Sequence, residues 1–203
     1  MGAVNWIELI VLLTFSGVFI LLIKRLWASR SLIYLYFGLA SLAIAIPYFT
    51  LSFSLSTTFN ILEWGKLISI TIYISGLLAL VREYKPIFAR FPAYLTALPF
   101  ISILFFPLII DTIVIRNLIN AIYQGGAIVV TILVFTLNNA RKTGRRYYTI
   151  GLSMILLAYA GYWFYFKTSN TDNLIWISEI VLSMGILITL YRFIRSTDQN
   201  KNT

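Results

Sequence analysis

A seven-transmembrane-helix bundle is the fold class this sequence predicts, and three observations predict it. The 203-residue chain is 60% hydrophobic and 11% charged, with a mean hydropathy of +0.87, whereas soluble domains are about 25% charged. Seven apolar windows approach the roughly 20 residues that a helix needs to cross a hydrocarbon core about 30 Å thick. Basic residues crowd every second gap between those windows. Transmembrane strands would instead alternate apolar and polar residues over roughly ten-residue segments, and no such alternation occurs.

The expected spans are residues 5–23, 32–54, 60–81, 91–110, 113–137, 147–166 and 174–193, within a single domain 1–203 that ends in a short polar cytoplasmic tail, 196–203. The first is read as a retained helix. It lacks a positive amino-terminal region and a small-residue cleavage site, and Lys24 and Arg25 follow it as stop signals. The fourth contains Pro92, Pro99 and Pro107, each of which removes a backbone donor, so a kinked linker helix is expected there.

Orientation follows from the gaps. Lys24, Arg25 and Arg30 lie between spans one and two, and Arg82, Lys85 and Arg90 between three and four. Arg141, Lys142, Arg145 and Arg146 lie between five and six, and Arg192, Arg195 and Lys201 at the carboxyl end. The positive-inside rule places this side in the cytoplasm and the amino terminus outside, in what is expected to be the cell (plasma) membrane. The net charge of +9 is then a matter of topology and anionic lipid, and nucleic-acid binding is not expected. No gap between spans is long enough to fold into a soluble output domain, so any signal must pass to another chain.

The two ends of the chain are weakly alike. Arg30 to Leu39 aligns with Arg145 to Leu152, bringing Gly38 onto Gly151, and Ser75-Gly76 in span three matches Ser183-Met184-Gly185 in span seven. This predicts a 3+1+3 pseudo-repeat about span four. Gly125, Gly126, Gly161 and Gly185 are expected at close helix approaches, as small residues are in membranes.

The chain has neither cysteine nor histidine, which removes thiolate and imidazole ligation of zinc, copper, haem or non-haem iron. No cofactor or metal site is expected. No nucleophile with a base and no phosphate-cradling loop is present either, so an enzyme is the least favoured class and no catalytic residue is assigned.

The charges inside the spans carry the functional reading. Glu8 in span one, Glu63 and Lys66 in span three and Glu179 in span seven all fall early in helices that run from outside to inside. Asn117, Asn120 and Gln124 of span five recur at spacings of three and four on one face. A charge at the bilayer centre costs at least about 2.5 kcal/mol, so such groups usually face a bundle interior or a wet cavity. Converging in the outer third, Glu8, Glu63, Lys66, Asn120, Gln124 and Glu179 would line a pocket for a small molecule or cation arriving from outside. Glu63 and Lys66, three apart, are expected to pair. A plainer reading is that these residues sit at the water interface, since Trp6, Trp64 and Trp176 nearby form the aromatic belt expected there. Tyr159, Tyr162, Trp163 and Tyr165 are further cation-facing candidates in span six.

Three function classes follow: a small-ligand sensor or receptor-like subunit with a cytoplasmic protein partner, a small-solute or ion transporter, and a structural subunit of a membrane complex. The apolar inner halves of the spans, broken mainly by Thr131 and Thr136, weigh against an open pathway.

Overall fold

Near-uniform apolarity leaves backbone hydrogen bonding as the main local constraint, and in lipid only a helix satisfies it within one segment. The computed structural model describes residues 6–53, 61–84, 86–109, 113–139, 150–158, 160–161 and 175–199, and all its regular structure among them is helical. The elements are α1 (Trp6–Ser29), α2 (Leu32–Ser52), α3 (Ile61–Tyr84), α4 (Pro86–Ala89), a 3-10 turn (Ala93–Ala97), α5 (Leu98–Ile109), α6 (Ile113–Asn139), α7 (150–158 and 160–161) and α8 (Ile175–Gln199). Three stretches, Glu8–Ser29, Leu32–Ser52 and Trp64–Glu83, are long and apolar enough to cross a membrane. They support reading the chain as a membrane protein.

The chain divides into two compact units, Met1–Val130 and Thr131–Thr203. In the first, α1 packs on α2 and α2 on α3, so consecutive helices are neighbours. The inward stripe of α1 is Val11, Phe15, Val18 and Leu22, all 1–2% exposed, at the 4-3-4 spacing that keeps residues on one helical face. Its other side exposes Ile10, Leu13, Ile20 and Trp27. The chain leaves α1 through Arg30, whose φ of 52° is left-handed, and re-enters helix at Ser31, which caps α2 by accepting from the Ile33 N–H at 3.4 Å.

Helices α2 and α3 approach closely because Gly65 lies under the ring of Pro47. A Cβ there would collide with that ring and stand 2.9 Å from the Ala43 carbonyl oxygen. Further along, Ser69 Oγ crosses to the Ala40 carbonyl at 2.7 Å, a polar tie of the kind that joins helices in lipid. Thr71 and Ser75 are fully buried and bond back to the carbonyls of Ile68 and Thr71 within α3.

Within the fourth expected span, 91–110, a 3-10 helix runs directly into α5. The residue before a proline is forced out of the helical region, so Pro92 starts a new segment: the chain passes through a 3-10 turn and only then enters α5. Pro99 sits in the first turn of α5, where its missing N–H costs nothing. At the end of α3, Arg82 holds the chain just before this segment, donating from Nε to the Phe91 carbonyl at 3.1 Å and from Nη2 to the Ala89 carbonyl at 3.4 Å. Across the same region the Tyr36 and Thr96 hydroxyls are 3.2 Å apart.

In the second unit, α7 and α8 touch backbone to backbone at Gly151 and Gly185. A Cβ on Gly151 would stand 2.9 Å from the Gly185 carbonyl oxygen, and one on Gly185 3.0 Å from that of Gly151. Of the four glycines expected at close approaches, Gly185 is at one. A Cβ on Gly126 would make an ordinary 3.8 Å contact with Ile74, whereas one on Gly125 or Gly161 would meet nothing within 4 Å among the described residues. Helix α8 runs to Gln199, through the first residues of the expected polar tail.

Candidate functional site

The polar residues of the predicted outer layer sit within the first two turns of α1, α3 and α8 and about two to three turns into α6. Glu8 is half-buried in the first turn of α1, where a carboxylate is favoured by the helix dipole. Lys66 is half-buried on α3, and its Nζ lies 6.0 Å from the centroid of the Tyr48 ring on α2, the outer limit of a cation–π contact. Tyr48 itself is 3% exposed. Glu63 and Asn120 have helical backbones in α3 and α6, but their side chains lie outside the described residues, as do the expected Glu63–Lys66 pairing and the side chain of Asn117.

Gln124 is the deepest member. It is 3% exposed, and its Oε1 has no hydrogen-bond partner among the described residues. Leaving a buried acceptor unmade costs about 1–3 kcal/mol, and with little surrounding water the protein must recover that elsewhere or fill the site. One residue earlier, the Tyr123 and Ser102 hydroxyls lie within hydrogen-bonding reach of each other and of the Pro99 carbonyl, at 3.3 Å and 2.9 Å, so their two protons serve two of these three contacts at a time. This ties α6 to α5. A small apolar core of Leu67, Ile103 and Ile119, flanked by Trp64, Phe100 and Tyr123, seals the junction of α3, α5 and α6.

Two sides of α3 thus take different partners. Gly65 and Ser69 face α2, and Lys66 reaches towards Tyr48 there. Trp64, Leu67 and Ile74 face α5 and α6. Glu179 belongs to the second unit, half-buried on α8, and its backbone carbonyl accepts from Ser183 Oγ at 2.8 Å. Glu8, Lys66 and Gln124 therefore share the first unit, and Glu179 stands in the other.

Sequence reading passed over Tyr48, Tyr123 and Ser102. The available signal was position: Tyr123 adjoins the Asn117, Asn120, Gln124 series, and Ser102 lies three residues after a helix-starting proline. Of the span-six aromatics, Tyr159, Tyr162, Trp163 and Tyr165 lie outside the described residues, as do Asp111 and the side chain of Arg116.

Two cavities open elsewhere in the first unit. One of about 540 Å³ is lined by Leu78, Leu95, Leu98, Pro99, Ile101 and Ser102, and one of about 440 Å³ by Leu26, Trp27 and Arg30. Neither is lined by any of the six candidate residues. Among the described residues no three carboxylates gather as a metal site requires. Within the first unit the described residues thus present a buried amide oxygen on α6 and, on the α2-facing side of α3, the Lys66 ammonium. No family model, curated protein or solved structure matches this chain.

Proposed function

We propose that this chain is a seven-helix integral protein of the cell membrane, amino terminus outside, that acts as a small-ligand sensor or receptor-like subunit and signals through a separate cytoplasmic protein. The observation that carries this reading is the buried Oε1 of Gln124, unpartnered among the described residues, which calls for a hydrogen-bond donor. A ligand bearing an ammonium, amide or hydroxyl group supplies one. Glu8, Glu63, Lys66 and Asn120 are the further residues of the first unit proposed to meet it from the outer side; Glu179 belongs to the second unit. The short gaps between spans leave no room for an output domain, which is why the reading includes a partner chain.

Native mass spectrometry of the detergent-purified chain tests this directly. The expected result is a stoichiometric small molecule carrying a donor group, or saturable thermal stabilisation by a member of an amine and ammonium panel, together with a copurifying partner protein. A preparation that carries neither ligand nor partner and gains no stability from the panel overturns the proposal.

A second reading is favoured by one specific observation. The α2–α3 crossing places Gly76 against Phe37, with a Cβ position 2.8 Å from its ring, and the α7–α8 crossing places Gly185 against Gly151. Of the positions that the weak internal similarity aligns, Gly76 and Gly185 each meet the preceding helix, whereas Gly38 faces Phe19, Leu22 and Ile23 of α1 and its counterpart Gly151 faces α8. The shared placement of Gly76 and Gly185 supports a 3+1+3 plan and hence a transporter that rocks about its linker. In proteoliposomes this reading expects flux of a cation, sugar or amine that Glu63→Gln reduces. The absence of flux with every solute class would remove it in favour of the sensor.

A further inference from the structure

We propose that the elbow joining α1 to α2 seats the headgroup of one anionic glycerophospholipid. Three features converge there. A cleft of about 440 Å³ is walled by Leu26 and Trp27, with Arg30 as its polar side. Trp27 is 83% exposed and ends the outward face of α1, on which Leu13, Ile20 and Trp27 recur every seven residues, two helical turns. Lys24 is exposed on the turn before it, and Arg25 follows.

The backbone at Arg30 is the second kind of observation. Its φ of 52° is left-handed, the conformation in which glycine is the default C-terminal residue of a helix, and its N–H closes the helix on the Leu26 carbonyl at 2.8 Å. An arginine there pays strain for its side chain, and strain of this sort gathers where a side chain acts. The guanidinium is built to grip phosphate oxygens in pairs, and an indole beside it lies at the depth where tryptophan prefers the headgroup boundary. Glu83, the carboxylate across the elbow, accepts from Ser31 Oγ at 3.4 Å and feels the charge of Arg82, while Lys24 and Arg30 are exposed.

The occupant is a lipid and not free phosphate because two of the three cleft walls are apolar. The exposed face of α1 continues from them along the span, giving an acyl chain a path that a phosphate ion has no use for.

The test is native mass spectrometry of the whole chain titrated with phosphatidylglycerol or phosphatidylcholine, in wild type, Arg30→Gly, Trp27→Ala and Arg90→Gln. Glycine relieves the left-handed strain, so Arg30→Gly folds at least as well while lacking the guanidinium. It is expected to weaken retention of phosphatidylglycerol about fivefold, in line with the worth of one basic residue at an anionic surface, and to leave phosphatidylcholine unchanged. Trp27→Ala weakens both lipids. Arg90, exposed at the turn after α4, serves as the control for generic basic charge. Equal retention of the two lipids by wild type, an equal loss in Arg90→Gln and Arg30→Gly, or displacement of bound lipid by millimolar inorganic phosphate each overturns the assignment.

Discussion

Gly65→Ala is expected to lower the thermal midpoint of the detergent-solubilised protein by several degrees, while Gly17→Ala leaves it unchanged or raises it. Both glycines lie inside long apolar helices, and by helix propensity alone each alanine gains about 1 kcal/mol. Their surroundings differ. A Cβ at Gly17 meets nothing within 4 Å, whereas at Gly65 it strikes the Pro47 ring and crowds the Ala43 carbonyl at 2.9 Å. A backbone oxygen cannot swing aside as a side-chain tip does, so α2 and α3 must separate. Overpacking of this kind costs typically about 1–3 kcal/mol, and roughly 2–4 °C accompanies each kcal/mol in a chain of this size. Pro47→Ala in the Gly65→Ala background is expected to restore part of the loss by removing the ring, a coupling that a double-mutant cycle measures. Equal midpoints for Gly17→Ala and Gly65→Ala would show that the close approach does not exist.

Gln124→Leu is expected to move two readouts in opposite directions. Leucine has a similar volume and leaves no acceptor to satisfy, so the ligand-free protein should become more stable by about 1–3 kcal/mol, the usual cost of an unmade buried hydrogen bond. The stabilisation conferred by a donor-bearing ligand should disappear. A residue kept for structure would behave otherwise, because removing a satisfied interhelical hydrogen bond lowers stability. Loss of stability combined with an intact ligand response would falsify the assignment of Gln124 to the site. Asparagine at the same position keeps the amide but withdraws it by one methylene, and an intermediate ligand response is expected from it.

Near the amino terminus the apolar windows of the sequence are helical, with ends that differ from the expected ones by up to six residues. The expected 32–54 and 60–81 correspond to Leu32–Ser52 and Ile61–Tyr84. Helix α1 runs on to Ser29, past the stop signals Lys24 and Arg25, since long basic side chains tolerate a helical backbone at the water interface. In the fourth span three prolines can kink a helix or divide it, and composition does not separate the two outcomes. There a 3-10 helix runs directly into α5, and Arg82 holds the carbonyls of Ala89 and Phe91 just before it.

The site was legible as a list and not as an arrangement. Gln124 stood out in sequence by depth, and its burial gives that prominence a physical meaning. Tyr48, Tyr123 and Ser102 did not stand out, because tyrosine and serine are ordinary membrane-helix residues until a particular partner is placed beside them.

Residue chemistry along the chain determined that it is helical, that apolar stretches long enough for a bilayer dominate it, and that histidine and cysteine chemistry is absent. Packing alone decided which face of each helix turns inward. A helix apolar on all sides has no polar stripe to reveal its orientation. The glycines that allow contact among the described residues therefore proved to be Gly65, Gly76, Gly151 and Gly185, while a Cβ at Gly125 or Gly161 would meet none of those residues. That choice rests on shape, the fit of a proline ring or a second glycine against a bare backbone, which exists only once two helices have met.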